Sequence, residues 1–183
     1  QDNILKNIEV RKAISYAIDK ANIVSSVYNN QCYIADFPLD YDSYLYNKDG
    51  ELSYDQDEAK RILQSNDWVF TNNRWQKTID GYVRKLIISL VVNQDNSERV
   101  NVANNIKHQL GEIGIEVNVV KVSTARYNEY LQDKNYQMIL TGVTNSINPD
   151  LKYFYGEGNI SNYNNEEAKK CLDTVENYDK LQK

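Results

Sequence analysis

Nucleophilic, acid–base and metal-binding chemistry would have to come from very few residues in this chain. There is one histidine, His108, and there are two cysteines, Cys32 and Cys171. A single imidazole rules out multi-histidine metal sites and argues against a histidine-based catalytic triad. Two cysteines at this spacing make neither a disulfide scaffold nor a zinc site. Cys171 falls on an apolar helical stripe and reads as a buried packing thiol. Cys32 lies in a loop beside Tyr33, with no base or cationic cluster to lower its pKa, so it is not expected to be a nucleophile. His108 sits between Ile106 and Leu110 with polar neighbours and reads as a solvated helix residue. Asp36, Asp40 and Asp42 suggest calcium, but Tyr44 occupies the third ligand position and no glycine follows, so a solvated acidic loop is expected. Gly156-Glu157-Gly158 lacks the third glycine of a phosphate-cradling loop. Asp55 and Glu58 are explained by helix capping. No enzyme constellation emerges, and no cofactor or metal is implied.

The remaining chemistry is hydrogen bonding, and the surrounding elements decide where it gathers. Asn7 can cap a helix carrying Val10, Ala13, Ile14, Ala17, Ile18 and Ala21, and Asp19 can cap its continuation through Ile23, Val24 and Val27. Residues 31–50 have no helical period and read as a long loop containing Phe37-Pro38; long loops in compact domains are often functional. Asp55 and Glu58 precede a short amphipathic helix with Ala59, Ile62 and Leu63, ending near Asn66. Residues 68–75 suggest a hairpin about Thr71-Asn72-Asn73. The apolar run 86–92 suits a strand buried on both faces. After the polar break 93–96 comes a helix with Ala103, Ile106, Leu110 and Ile113 on one stripe, terminated at Gly114. Ile115, Val117, Val119 and Val120 form the next strand. Strand, helix, strand implies parallel pairing with a right-handed crossover. Ser123 can cap a helix through Tyr127, Tyr130 and Leu131, and residues 136–141 form a third strand. Asn148-Pro149 opens a helical turn. Asn164 and Glu167 cap a last helix with Ala168, Cys171, Leu172 and Val175 on its face.

The expected fold is therefore α/β, built of βαβ units with a central, mostly parallel sheet flanked by helices, in one domain over residues 1–183. In open sheets of this kind, ligands collect beyond the carboxyl ends of the strands. Those ends are residues 93–96, 121–124 and 142–148, rich in Asn, Ser and Thr, and the helix after Asn96 could favour an anionic group. The candidate ligand-binding residues are Asn93, Asn96, Asn145 and Ser146, with Phe37 on the long loop.

The 183 residues carry a formal charge of −5, and charged residues make up 26% of them. A nucleic-acid partner is not expected without a basic field. No segment approaches the ~20 consecutive apolar residues that cross a bilayer as a helix. Fifteen tyrosines and many asparagines are unusual, and biased codon usage is the simplest explanation.

Four stretches together resemble a known family. Val10-Arg11-Lys12-Ala13-Ile14-Ser15-Tyr16-Ala17-Ile18-Asp19 looks like an opening helix. Tyr54-Asp55-Gln56-Asp57-Glu58-Ala59-Lys60-Arg61-Ile62-Leu63, closing at Asp67-Trp68, looks like a Tyr-Asp-Pro helix ending in Gly-Trp. Gln109-Leu110 with Ile113-Gly114-Ile115-Glu116-Val117 looks like a Leu-x-x-Ile-Gly-Ile turn into a strand. Tyr136-Gln137-Met138 followed by Gly142 looks like a Tyr-Asp-Met strand. In this order and spacing they resemble the second lobe of the extracellular solute-binding proteins of oligopeptide and dipeptide ABC transporters, bacterial solute-binding family 5. The resemblance runs from about Val10 to Tyr178.

The resemblance implies one lobe of a type II periplasmic-binding-protein-like fold, in a fragment of a longer two-lobed protein. It implies an extracellular or periplasmic protein, in many cases a membrane-anchored lipoprotein, with no catalysis. Its partners would be a peptide or other small polar solute, the first lobe of the same protein and an ABC permease in the membrane. Many members hold the peptide's amino terminus with an acidic residue in a Gly-Trp-x-x-Asp-Tyr loop. Here the loop reads Gly142-Val143-Thr144-Asn145-Ser146-Ile147, with Ser146 in the place of the Asp, Val143 in that of the Trp, and Asp150 four residues late. A serine cannot pair with an ammonium as an aspartate does, so the departure points to a different ligand or to an amine held elsewhere. Nickel chelates and oligosaccharides are alternative cargoes within the same fold. The scarcity of histidine argues against direct metal ligation, and the tyrosines leave sugars open. A sensor or interaction module without a cleft is a reading from another class. A hydrolase lacks a nucleophile–base pair.

Overall fold

The computed structural model describes residues 4–47, 52–144 and 151–173. Its first helices form where capping and apolar spacing agree. Asn7 accepts a hydrogen bond from the Glu9 amide at the start of α1, Ile8–Ala17, and Val10, Ala13, Ile14 and Ala17 of that helix are buried. The chain breaks at Ile18, which is extended, and Asp19 caps α2, Lys20–Tyr28. Buried Gln109 stitches this break down, accepting from the Asp19 amide and donating to the Asp19 carbonyl.

Residues 31–47 form neither helix nor strand, as expected of a long loop. Its acidic residues are not equally solvated: Asp40 and Asp42 are exposed, but Asp36 is mostly buried and ion-paired with Lys20. α3, Gln56–Ser65, starts at Asp55, whose carboxylate accepts from the Glu58 amide. The reciprocal half of the capping box is missing because the Asp55 amide donates to the Tyr16 carbonyl and Glu58 pairs with Arg61. That tie helps hold α3 against α1.

Two small sheets follow. β1, Val69–Thr71, and β2, Arg74–Ile79, form the expected hairpin about Asn72 and Asn73. Both turn residues have positive φ, 52° and 60°, the geometry whose twist suits a two-residue hairpin. A second hairpin through Asp80 and Gly81 adds β3, Tyr82–Lys85. Alternation gives no signal for β3, because all four of its residues are exposed.

β4, Ile87–Asn93, buries Ile88, Leu90, Val91 and Val92. α4, Ser97–Glu112, crosses to β5, Glu116–Val122, which pairs parallel with β4 from Ile87↔Glu116 to Asn93↔Val122. Gly114 ends the crossover helix at φ +84°. α5, Thr124–Asp133, capped by Ser123, returns the chain to β6, Met138–Ile139, parallel to β4 on its other side. The sheet order is β5-β4-β6. β6 is shorter than residues 136–141 would allow. The Gln137 side chain accepts from the Ser89 amide and hydroxyl, taking the β4 donor that a longer strand would have paired.

One core runs from α1, α3 and α4 to β4 and β5 and includes Trp68 and Trp75. Trp75 also donates its indole N–H to the Ile113 carbonyl at 2.7 Å, tying the antiparallel sheet to the end of α4. A second, aromatic cluster joins Leu39 and Tyr46 of the long loop to Leu151, Leu172, Phe154 and Tyr155. α6, Lys152–Tyr155, and α7, Glu166–Cys171, lie in this part of the chain. α7 is capped by Asn165 rather than Asn164: its Oδ1 accepts from both Glu167 and Ala168, and that register turns Ala168 and Leu172 inward. Cys171 is half-buried rather than buried. The expected turn at Asn148-Pro149 and the face position Val175 lie outside the described residues.

Candidate ligand-binding edge

The sheet order fixes where a crevice opens. The chain leaves β4 through α4 toward β5, then crosses back through α5 to β6 on the far side of β4. With both crossovers right-handed, α4 and α5 lie on opposite faces of the sheet. In accord with this, α4 packs on α1 and α2, and α5 packs on β4. The carboxyl ends of β4 and β6 are therefore a topological switch point, the place where open α/β sheets bind ligands.

Asn93 and Asn96 both stand at this edge, and each already has a structural occupation. Asn93 ends β4; its Oδ1 accepts from the Asp95 amide and its Nδ2 donates to Thr124 Oγ1 at 3.3 Å. Asn96 caps α4, accepting from the Arg99 amide at 2.8 Å. Asp95 bridges the two helix starts: its carboxylate accepts from the Thr124 amide at 3.2 Å and the Thr124 hydroxyl at 2.7 Å. An aspartate at the first turn of α5 is also favourably placed against the helix dipole. The edge is thus a hydrogen-bonded rim rather than a set of free polar groups.

Phe37 is held elsewhere. It stacks on Tyr155 at 5.7 Å between ring centroids, within the aromatic cluster. The same loop stacks Tyr33 on Tyr41 at 5.4 Å with the rings 6° from parallel, and Tyr33 is 73% exposed. Burial pushes the Tyr155 phenol up to about 12, helped by neighbouring Tyr163. Asn145 and Ser146 lie outside the described residues.

A residue that spacing did not single out occupies the switch point. Arg99, on the first turn of α4, holds its guanidinium 5.9 Å from the centre of the Tyr127 ring of α5. Tyr127 is buried and donates its hydroxyl to the Leu140 carbonyl, just past β6. Gly142 makes room for the guanidinium: a Cβ there would stand 3.0 Å from Arg99 Nη2. Tyr28, at the end of α2, completes the neighbourhood. Its phenol is raised by partial burial, with Glu98 and Cys32 acting in the same direction and Arg99 against them. Sequence spacing hides Arg99, because its three neighbours come from α2, α5 and the loop after β6.

Two other features do not join this edge. An open groove of about 1300 Å³ lies at the opposite end of the sheet, where β4 and β6 begin, lined by Ile87, Ser89, Tyr136 and Gln137 among others. His108 is far along α4, its side chain 76% exposed and 3.6 Å from Glu112. Among the described residues, no group of three or more His, Cys, Asp or Glu is arranged to hold a metal ion.

Comparison with known proteins agrees with this geometry. A family model described as bacterial extracellular solute-binding proteins, family 5 middle, matches residues 1–172. The chain belongs to this family. The oligopeptide-binding protein AppA of Bacillus subtilis is 28% identical over 183 residues, covering 94% of this chain and 33% of AppA. The solved structure of AppA in complex with a nonapeptide superposes with a TM-score of 0.86 at 26% identity, over 99% of this chain and 40% of that one. NikZ of Campylobacter jejuni, solved with Ni(L-His), shares the fold with a TM-score of 0.84 at 21% identity, over 100% of this chain and 40% of NikZ. The chain spans about a third of the length of the curated relatives it matches. The family resemblance and the α/β lobe of type II periplasmic-binding-protein kind read from the sequence are both borne out. Family members are extracellular or periplasmic solute-binding proteins.

Proposed function

We propose that the protein containing this chain is the solute-capturing component of an ABC importer and that it binds oligopeptides. The observation that supports this reading is the 28% identity to an oligopeptide-binding protein, sustained over 94% of the chain. The switch-point edge would form one wall of a cleft, and the rest of the parent protein would supply the other. Closure about a hinge follows if the peptide touches both walls, because ligand contacts present only in the closed state favour that state. Peptide backbone groups would be met by rim asparagines, Asn93 first, with Asn96 beside it and tyrosines as apolar walls. Phe37, Asn145 and Ser146 remain candidates from the sequence. The closed, loaded protein would dock on a membrane permease and, as a lipoprotein, could be tethered at the cell surface. No step requires catalysis.

Native mass spectrometry of the intact parent protein, purified without denaturation, tests the reading. A ladder of added masses matching short peptides is expected. A set of added masses matching sugars or metal chelates would overturn the peptide assignment while keeping the capture role. Alanine at Asn145 and Ser146 in the same protein should weaken peptide binding. Unchanged affinity in both would remove that loop from the site.

A further inference from the structure

We infer that the open groove at the start of β4 is a strand-addition site for an extended, acidic segment of another protein. The floor of the groove is a backbone edge. From Tyr82 to Asn93 the chain runs on from β3 into β4, with Leu86 as the link. Leu86 shows which side of this stretch is taken: its amide donates to the Trp75 carbonyl of β2, and its carbonyl accepts from the Glu116 amide of β5. β2 and β5 therefore lie on one side. In a strand the N–H and C=O of one residue point to one side and those of the next residue to the other. The second side thus belongs to Val83, Lys85, Ile87, Ser89 and Val91. Gln137 and β6 occupy it at Ser89 and Val91. At Val83, Lys85 and Ile87 no strand pairs on that side among the described residues. A row of unpaired N–H and C=O groups of this kind is a ready template for another strand.

The groove follows this edge: Val83, Lys85 and Ile87 all line it, and Ser89 stands at its end. From Val83 to Ser89 the edge is roughly 20 Å long at about 3.3 Å per residue. The groove's volume of about 1300 Å³ exceeds the roughly 300–1,000 Å³ of a small-molecule pocket, so it suits an extended chain. Its charges choose the occupant. Arg84, Lys85 and Lys134 line it, and among the described residues no carboxylate does, in a chain whose formal charge is −5. Ile79, Val83 and Tyr136 supply apolar surface as well. A segment with carboxylates at alternate positions meets that lining, its backbone on the edge and its acidic side chains on the cations.

A second copy of the chain is a poor occupant. Pairing this edge with itself would set Arg84 and Lys85 of one copy against those of the other, and like charges across a strand pair are destabilising. The remainder of the parent protein has its place at the opposite end of the sheet, where the switch point opens; only this choice of source rests on the capture reading above. A partner in the groove leaves the ligand edge uncovered, so docking and capture are compatible.

Amide hydrogen exchange of the full-length parent protein, read residue by residue over 82–99, tests the inference. The probe is an end-blocked heptapeptide of alternating glutamate and valine, and its lysine–valine counterpart is the control. Without peptide, the Val83, Lys85 and Ile87 amides are expected to exchange fast. Protection there in the peptide-free protein would show that the parent's own chain or a second copy fills the edge, and would overturn the inference. The glutamate peptide should slow these three amides by about tenfold at ten times its half-saturating concentration, with no change at the ligand edge, residues 93–99. Slowing at 93–99 alone would mean uptake by the ligand edge only and would overturn the inference while leaving capture intact. Arg84→Glu with Lys85→Glu should weaken the glutamate peptide by at least about fivefold and admit the lysine peptide. Val83→Pro removes one outward N–H at a position an edge strand tolerates, and should weaken the glutamate peptide while tryptophan fluorescence shows the fold retained. Equal protection by both peptides in the wild-type protein would overturn the acidic assignment. Protection by phosphatidylglycerol vesicles and not by peptide would reassign the groove to an anionic membrane and overturn the inference as well.

Discussion

Replacing Gly114 by alanine probes the joint between the crossover helix and β5. Gly114 has φ +84°, a left-handed conformation that costs an L side chain about 1–2 kcal/mol. A Cβ there would also stand 2.3 Å from Phe70 Cε2 and 3.1 Å from the Asn73 carbonyl oxygen. The Phe70 ring is 48% exposed and can swing away, but it then loses its tilted contact with Trp75 at 5.0 Å. Such an aromatic pair contributes about 0.5–1.5 kcal/mol beyond its buried area. The two effects together come to about 1.5–3.5 kcal/mol. With a urea slope of about 2 kcal/mol/M for a domain of this size, the unfolding midpoint should fall by about 0.8–1.8 M. Trp68 and Trp75 are both buried and are the only two tryptophans, so intrinsic fluorescence reports the transition. Repeating the substitution in a Phe70→Ala background separates the causes. There, Gly114→Ala should cost only the backbone part, leaving a coupling of about 0.5–1.5 kcal/mol. An equal cost in both backgrounds would show that the ring contact is not involved. An unchanged midpoint would refute the left-handed turn itself.

Three further outcomes are expected. Trp75→Phe removes the donor to the buried Ile113 carbonyl and should cost about 1–3 kcal/mol in urea unfolding, more than its small loss of area alone would give. Asp95→Ala frees the Thr124 amide and hydroxyl and should cost about 0.5–1.5 kcal/mol; amide hydrogen exchange should quicken in the first turn of α5 and stay unchanged at its end. The Tyr155 phenol, raised to about 12 in the folded chain against 10.0 unperturbed, gives a stability contribution fully present below about pH 10 and lost as pH rises through about 12. Two pKa units correspond to at most about 2.7 kcal/mol, so alkaline unfolding curves should steepen in that window, and Tyr155→Phe should flatten them.

The elements that sequence reveals best are those whose signals are local. Asn7, Asp19, Asp55 and Ser123 each cap the helix expected of them, because a cap needs only a side chain two or three residues from the amide it serves. The run through Leu90, Val91 and Val92 is legible because a strand covered on both faces has little polar alternation. β3 is hidden for the opposite reason: Tyr82, Val83, Arg84 and Lys85 are all exposed, so only the Asp80-Gly81 turn marks it. The extent of β6 is hidden because a side chain, Gln137, replaces a backbone partner of Ser89. The Asn164 register slips by one because two asparagines stand side by side and only the tertiary position of Ala168 and Leu172 chooses between them.

The candidate site divides along the same line. Strand ends can be located from order alone, and that places Asn93 and Asn96 at the rim. It does not say whether their polar atoms are free, and the structure shows those of Asn93 shared with Asp95 and Thr124 and that of Asn96 given to the Arg99 amide. A rim asparagine spent on its own fold can still meet a ligand, but only by exchanging one hydrogen bond for another, which yields little net affinity. Spacing also misses Arg99 at this rim, because the residues that define its setting, Tyr28, Tyr127 and Gly142, are brought together only by the crossovers that return the chain from α4 to α5 and β6.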